Sequence, residues 1–109
     1  MKHKELTYKI IGCFLRCVQR TGTRIFRIRV PESLAIALHD SGLEVRSEVK
    51  IPVWFHGQRV GQFEGDLLVN NLILLELKVA RLLDRSHNAQ LLNYLRATDI
   101  EVGLLLNLA

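Results

Sequence analysis

The apolar positions in the N-terminal part of the chain recur at the spacing of amphipathic helices. Between Leu6 and Val18 they repeat every three or four residues, which predicts a helix over residues 4 to 20. A second helix is predicted to begin near Pro31, because proline is well tolerated in the first turn, and to stop at Gly42. Each helix presents one apolar stripe and therefore needs a surface on which to pack.

From Leu43 onward the apolar period changes to two, which is typical of β-strands. Trp54, within the first of these strands, is interpreted as an aromatic residue that packs on the sheet. The elements predicted after the second helix are strands over residues 43–55, 60–69 and 72–79, a helix over 87–97 and a strand over 101–107. The order ααβββαβ predicts an α/β fold in which helices flank an antiparallel β-meander plus a closing strand.

Length and composition limit the chain to one small domain. Its 109 residues, 49% of them hydrophobic, can bury a single core, so residues 1–109 are predicted to form one domain. No apolar run is long enough to span a bilayer and no signal-peptide pattern precedes the first helix, so we expect a cytoplasmic protein with no membrane partner. Cys13 and Cys17 lie one turn apart on an apolar helix face and are interpreted as reduced core residues.

The chain carries more basic than acidic side chains, with a formal net charge of +4. A positive charge is compatible with an anionic partner such as nucleic acid. The excess is concentrated in Arg24, Arg27 and Arg29, just after the first predicted helix.

The strand predicted over residues 72–79 contains two charges in an otherwise apolar run. Side chains alternate faces along a strand, so Glu76 and Lys78 emerge on the same face. A short strand this apolar is typical of one buried on both faces, where a charge is costly unless it is paired or bound to a metal ion. Two interpretations remain open: a buried Glu76–Lys78 ion pair, or an active site that also uses Asp66 of the preceding strand.

The turn between these two strands determines how close Asp66 comes to Glu76. The pair Asn70-Asn71 is strong turn chemistry. A two-residue loop would place Asp66 opposite Leu75, whereas a three-residue loop that ends at Leu72 would place it opposite Glu76 on the same face. We favour the three-residue loop because one divalent cation could then neutralise both carboxylates.

The spacing of Asp66, Glu76 and Lys78, together with that of Gln90 and Tyr94, resembles the sequence motif of one nuclease superfamily. Asp66, Glu76-Leu77-Lys78 and Gln90 to Tyr94 match the D, E-x-K and Q-x-x-x-Y elements of the PD-(D/E)-x-K superfamily, in its RecB-like branch. The order and spacing of these strings also resemble the bacterial GxxExxY proteins across nearly the whole chain. The resemblance implies a restriction-endonuclease-like core and a metal-dependent nuclease that hydrolyses phosphodiester bonds in DNA or RNA.

The resemblance also implies roles for the matching residues. Asp66 and Glu76, with the Leu77 carbonyl, would hold Mg²⁺ or Mn²⁺, for which oxygen ligands are suitable. Lys78 would orient the attacking water or help to deprotonate it.

Gln90 and Tyr94 share one face of the last predicted helix, because they are spaced four residues apart. By resemblance they would position the substrate or brace the site. The residues alone leave another interpretation open, in which Gln90 is a solvated amide and Tyr94 is a core aromatic residue.

The motif that gives the GxxExxY family its name is not found where the resemblance expects it. With Gly22 and Leu34 aligned, its Gly, Glu and Tyr positions are occupied by Arg24, Arg27 and Val30. Related nucleases use a carboxylate on this helix to support the metal site, and the fixed cation of Arg27 would repel Mg²⁺. An alternative function is therefore a catalytically inactive nuclease fold that binds nucleic acid or protein, with the arginines of this segment contacting phosphate.

Codon arithmetic suggests an origin for the altered segment. One set of codons for Thr23 to Pro31, read one base later, spells Pro-Gly-Phe-Ser-Glu-Ser-Val-Tyr, which is the missing motif in register. Our hypothesis is a one-base insertion near Gly22 and a compensating deletion near Glu32, which scrambled residues 23 to 31 in the gene or in its sequencing. Codons across this segment that cannot spell the motif in the shifted frame would exclude the hypothesis.

Overall fold

The computed structural model describes residues 2–21, 30–78, 85–96 and 98–107 of the chain. These residues form the helices and strands α1 (Lys4–Thr21), α2 (Val30–Asp40), β1 (Val45–Phe55), β2 (Gln58–Val69), β3 (Ile73–Lys78), α3 (Arg85–Arg96) and β4 (Val102–Asn107). The predicted α/β class and the order ααβββαβ are confirmed, and the ends of the described elements lie within one or two residues of the predicted ends.

The four strands form one mixed sheet in the order β1-β2-β3-β4. The first three strands are antiparallel neighbours, as predicted, and the closing strand β4 pairs in parallel with β3. A parallel pair needs a crossover connection, and α3 lies within the connection from β3 to β4. Strand β3 therefore has an antiparallel neighbour, β2, on one side and a parallel neighbour, β4, on the other.

Two hydrophobic clusters cover the two faces of the sheet. The first joins α1 and α2 to one set of alternating residues of β2 and β3, and its buried members are Ile10, Cys13, Phe14, Cys17, Leu34, Leu38, Leu67, Val69, Ile73 and Leu75. The second includes α3 and the other set, with Val49, Ile51, Leu68, Leu74 and Leu91 buried. Both cysteines are buried thiols without a disulfide, as expected for reduced core residues. None of the described helices is long and apolar enough to cross a membrane.

The β2–β3 hairpin has the three-residue connection that the sequence favoured. Leu67 pairs with Leu75 across the hairpin, and residues 70–72 form its loop. Both asparagines of the loop have positive φ angles, which asparagine adopts more readily than most residues. The register continues by one step to set Asp66 opposite Glu76.

The β1–β2 hairpin extends beyond the rest of the sheet. Its pairing runs out to Phe55 and Gln58, whereas β3 accompanies β2 only as far as Leu67. The turn His56-Gly57 has positive φ at both residues, which matches the twist of a tight hairpin. Trp54 lies in this extension and is 54% exposed, so its predicted packing on the sheet is wrong. In the part of the chain that the structure describes, β3 pairs with β2 only from Leu67 to Val69, well away from the position of Trp54 in the hairpin.

Candidate functional site

The candidate site lies where β2 and β3 stop pairing through their backbones. The last backbone pair joins Leu67 to Leu75, and beyond it two carboxylates replace the ladder. The amide of Leu77 donates to Asp66 Oδ2 at 2.7 Å, and the amide of Asp66 donates to Glu76 Oε1 at 3.3 Å. Each acid thus binds the backbone of the opposite strand, and this exchange fixes the two carboxylates beside each other.

A glycine makes room for this arrangement. A Cβ atom on Gly65 would lie 2.4 Å from Cδ1 of Leu74 and 3.8 Å from Oε1 of Glu76. Leu74 is 1% exposed and packed in the core, so it has little space into which to move. The missing side chain of Gly65 therefore allows β2 to approach the leucine and the carboxylate of β3 closely.

The carboxyl group of Glu76 is buried and lacks full compensation by positive charge. Glu76 is 8% exposed. Its burial, and next the charge of Asp66, raise the pKa of Glu76 to about 7, against the smaller lowering effects of the Asp66 amide and of Lys78. The Lys78 ammonium lies 4.0 Å from Glu76 Oε2, on a side chain that is 39% exposed. The Glu76–Lys78 ion pair is therefore present, and Asp66 lies next to it, so the structure is compatible with both the ion-pair interpretation and the active-site interpretation.

Two adjoining cavities border Asp66 and give solvent access to the site. One measures about 280 Å³ and is lined by Pro31, Glu32, Ser47, Glu48, Asp66 and Leu67. The other measures about 320 Å³ and is lined by Glu48, Lys50, Glu64, Gly65 and Asp66. Their shared residues are Glu48 and Asp66, so this rim of the sheet is acidic.

Glu48 lines both cavities and was not predicted from the sequence. Its position in β1 falls opposite Asp66, and its backbone has a φ of 52° in the left-handed region. That conformation costs a residue other than glycine about 1–2 kcal/mol. No glycine or asparagine at this position signalled it, and only the register of the β1–β2 hairpin could have placed Glu48 near the site.

Comparison with models of known protein families assigns the chain to one of them. A family model described as the PD-(D/E)XK nuclease superfamily matches residues 4–109. The chain belongs to this superfamily. The resemblance predicted from the sequence, including the GxxExxY family, is thereby confirmed. The order of helices before a four-stranded mixed sheet is consistent with the superfamily core. No curated protein and no solved structure gives a significant match to the chain.

The structure brings three of the residues matched to the superfamily motif together. Asp66, Glu76 and Lys78 meet where the central hairpin opens, as the predicted geometry required. Tyr94 of α3 lies on the neighbouring part of β2, where its ring stacks on Phe63 with the ring centroids 4.0 Å apart. This contact fixes the tyrosine ring against the strand that carries Asp66.

Other residues with predicted roles are outside the part of the chain that the structure describes. The backbone of Gln90 lies within α3, but its side chain is not among the described groups. Arg24, Arg27 and Arg29 fall within residues 22–29, which are also outside the described residues. Their roles, and the hypothesis of a scrambled segment, remain predictions from the sequence.

The carboxylate pair suits a cation that needs few protein ligands. Among the described residues, no group of three or more His, Cys, Asp or Glu side chains could hold a metal ion, so a dedicated protein cage is absent from that part of the chain. Mg²⁺ often binds through only one or two carboxylates and keeps several waters. The raised pKa of Glu76 marks a place where added positive charge would favour the ionised acid. The donor set therefore fits Mg²⁺ or Mn²⁺ held by Asp66 and Glu76.

Proposed function

We propose that this chain is a nuclease that hydrolyses phosphodiester bonds in DNA or RNA with Mg²⁺ or Mn²⁺. The observation that carries the proposal is the reciprocal pairing of Asp66 and Glu76, with Lys78 beside them, in a member of a nuclease superfamily. In this proposal the cation is held by the two carboxylates and the Leu77 carbonyl. When bound, the cation would lower the pKa of a water molecule and stabilise the charge that develops on phosphate.

In each of the two acids, the two carboxylate oxygens have different roles. Asp66 Oδ2 and Glu76 Oε1 accept backbone amides, so these bonds orient both side chains before any ligand arrives. The second oxygen of each carboxylate would remain to bind a cation. Such preorientation reduces the ordering that binding would otherwise require.

Lys78 has the reach and the charge to act on the attacking water and on phosphate. Its ammonium lies 4.0 Å from Glu76 Oε2, and its partly exposed side chain can extend toward a substrate. There it would hold the water by hydrogen bonds and attract the negative charge of the phosphate group. We propose that Gln90 and Tyr94 of α3 brace the site or position the substrate, and the Tyr94 ring stacked on Phe63 supports the bracing role.

A second candidate function is a catalytically inactive nuclease fold that binds nucleic acid or a protein. One observation favours it. The sequence has Arg27 at the position where the resemblance to the GxxExxY family expects a glutamate. A binding module would need Asp66 and Glu76 only to complete the hydrogen bonds of the hairpin.

Titration with Mg²⁺ and Mn²⁺, followed by thermal unfolding, separates the two candidates. A bound cation stabilises the native state by mass action, by about 2.7 kcal/mol at one hundred times its dissociation constant. For the nuclease we expect stabilisation and cleavage that both disappear in Asp66→Asn and Glu76→Gln. Glu64→Gln is the matched control, because Glu64 lines the same cavity as Asp66 but is exposed.

The binding module has the opposite signature. It would bind nucleic acid with a steep dependence on salt and without any response to divalent cations. Binding of this kind, with no cleavage of DNA or RNA by the unaltered chain, would reject the nuclease proposal.

A further inference from the structure

The distal part of the β1–β2 hairpin is a second surface with unusual composition. We define the hairpin arm as residues 49–63, which extend past the point where β3 stops pairing with β2. The arm contains two fixed cations, Lys50 and Arg59, together with His56, and no acidic residue. Acidic residues return at Glu64, where the arm joins the candidate site.

The arm also exposes large apolar side chains. The exposed fractions are 54% for Trp54, 65% for Phe55 and 62% for Val60. Single exposed apolar residues are ordinary, but a group of them at one tip indicates a binding surface. Trp54 and Phe55 are aromatic and adjacent on β1, so their rings project from opposite faces of the arm.

The indole of Trp54 borders a cavity, and Trp54 lies opposite a cationic residue in the hairpin register. Trp54 borders a cavity of about 310 Å³, whose other lining residues are Ile51, Pro52, Thr98, Asp99 and Ile100. In the hairpin register Trp54 is opposite Arg59, which also bonds Gln62 on its own strand. The carboxylate of Asp99 would repel a phosphate from the cavity, whereas the guanidinium of Arg59 would attract one. The arrangement therefore suits a flat base at the indole and a phosphate group beside the arginine.

The arm is continuous with the candidate site. Lys50 lines the same cavity as Asp66, so a bound strand could run from the tip along the arm to the carboxylates. A second copy of this chain would fit less well, because its arm would bring a second set of cations against Arg59 and Lys50. Single-stranded nucleic acid is complementary to both features of the arm, because its bases can stack on the indole and its phosphates can bind the cations.

We propose that the hairpin arm binds single-stranded nucleic acid, with a base stacked on Trp54 and a phosphate held by Arg59, and that it delivers the strand to Asp66 and Glu76. The inference rests on the proposed function for its class of ligand. Its test does not depend on cleavage, because binding to the arm needs neither the carboxylates nor a cation.

The experiment uses the fluorescence of Trp54, the one tryptophan of the chain. The full chain is titrated in EDTA at low salt with a single-stranded oligothymidylate, its RNA counterpart and a duplex. We expect quenching by the single strands and little by the duplex. Binding measured by anisotropy of a labelled oligonucleotide should weaken at least about fivefold in Trp54→Leu, because stacked bases contribute strongly to such affinities. Arg59→Gln should make binding less dependent on salt.

Tyr8→Leu is the matched control. Tyr8 is 59% exposed and has the Lys4 ammonium 5.7 Å from its ring centroid, so it offers an aromatic face and a cation at a distant place on α1. Its loss should leave the affinity unchanged. Unfolding midpoints of all variants, which alter exposed side chains, establish that each is folded before binding is compared.

Three results would overturn the inference. They are unchanged affinity in Trp54→Leu, preferential binding of the duplex without quenching, and a concentration-dependent dimer that Trp54→Leu dissolves. If cleavage is absent while quenching and the variant effects persist, the arm inference stands and the proposed nuclease function falls.

Discussion

Replacing Glu76 by glutamine should change how the stability of the protein depends on pH. Burial, followed by the charge of Asp66, raises the pKa of Glu76 from 4.5 to about 7. The folded state therefore holds the proton of Glu76 more tightly than the unfolded chain does. Folding consequently costs free energy wherever this carboxyl group must be ionised.

The cost has a defined pH window and size. Below about pH 4.5 the group is protonated in both states, so the stability is complete. The penalty grows as the pH rises and reaches its full value above about pH 7. A shift from 4.5 to about 7 corresponds to about 3 kcal/mol. Glutamine cannot ionise, so Glu76→Gln should not lose this stability.

Urea unfolding in EDTA, repeated from about pH 5 to about pH 8, measures the effect. The free energy of unfolding of Glu76→Gln, relative to the unaltered chain, should rise by up to about 3 kcal/mol across this range. Glu64→Gln alters an exposed acid and should give a curve parallel to that of the unaltered chain. Parallel curves for Glu76→Gln as well would refute the argument that burial and Asp66 destabilise the ionised group.

Three further predictions test the packing, the charge and the altered segment. Gly65→Ala would place a Cβ atom 2.4 Å from Leu74 Cδ1 and should lower the free energy of unfolding by about 1–3 kcal/mol in urea titrations, whereas Gly61→Ala meets nothing within 4 Å and serves as the control. Asp66→Asn should bring the pKa of Glu76 down, because it removes a neighbouring negative charge, and NMR titration of the glutamate carboxyl group would detect the change. The chain as written should show only weak metal-dependent cleavage, because Arg27 stands where the family resemblance expects a glutamate, and replacing residues 23–31 with the shifted-frame reading should strengthen metal binding in calorimetry. Strong cleavage by the unaltered chain would mean that the missing helix carboxylate is dispensable.

The hairpin that carries the site could be predicted because several local signals agreed. The apolar alternation defined both strands, and Asn70-Asn71 located the turn. The sequence allowed two registers, which differ in whether Asp66 faces Leu75 or Glu76. The structure has the second register, and both asparagines accept the positive φ angles that the longer loop requires. The choice between them came from the chemistry of two neighbouring acids rather than from turn propensity.

Other features depend on distant parts of the chain and had no local signal. Trp54 is exposed in a part of the β1–β2 hairpin that lies away from the described β2–β3 pairs, and the composition of β1 does not encode this arrangement. The left-handed backbone of Glu48 arises at a glutamate, a residue type that seldom marks this conformation. The pKa of Glu76 is raised chiefly because the folded protein buries this side chain, and burial is a property of the assembled structure. Periodicity therefore located the strands, while tertiary context determined their electrostatics and exposure.

The reciprocal hydrogen bonds make it possible to separate the structural role of the two acids from a catalytic one. An amide oxygen can accept the same backbone donors as a carboxylate oxygen, so Asp66→Asn and Glu76→Gln can preserve the bonds to Leu77 and Asp66. What these variants remove is the negative charge that attracts a divalent cation. If the acids served only to close the hairpin, the neutral variants would match or exceed the original stability and behave alike with and without Mg²⁺. A response to Mg²⁺ that requires both charges, in variants that remain folded, would instead assign the pair to metal binding.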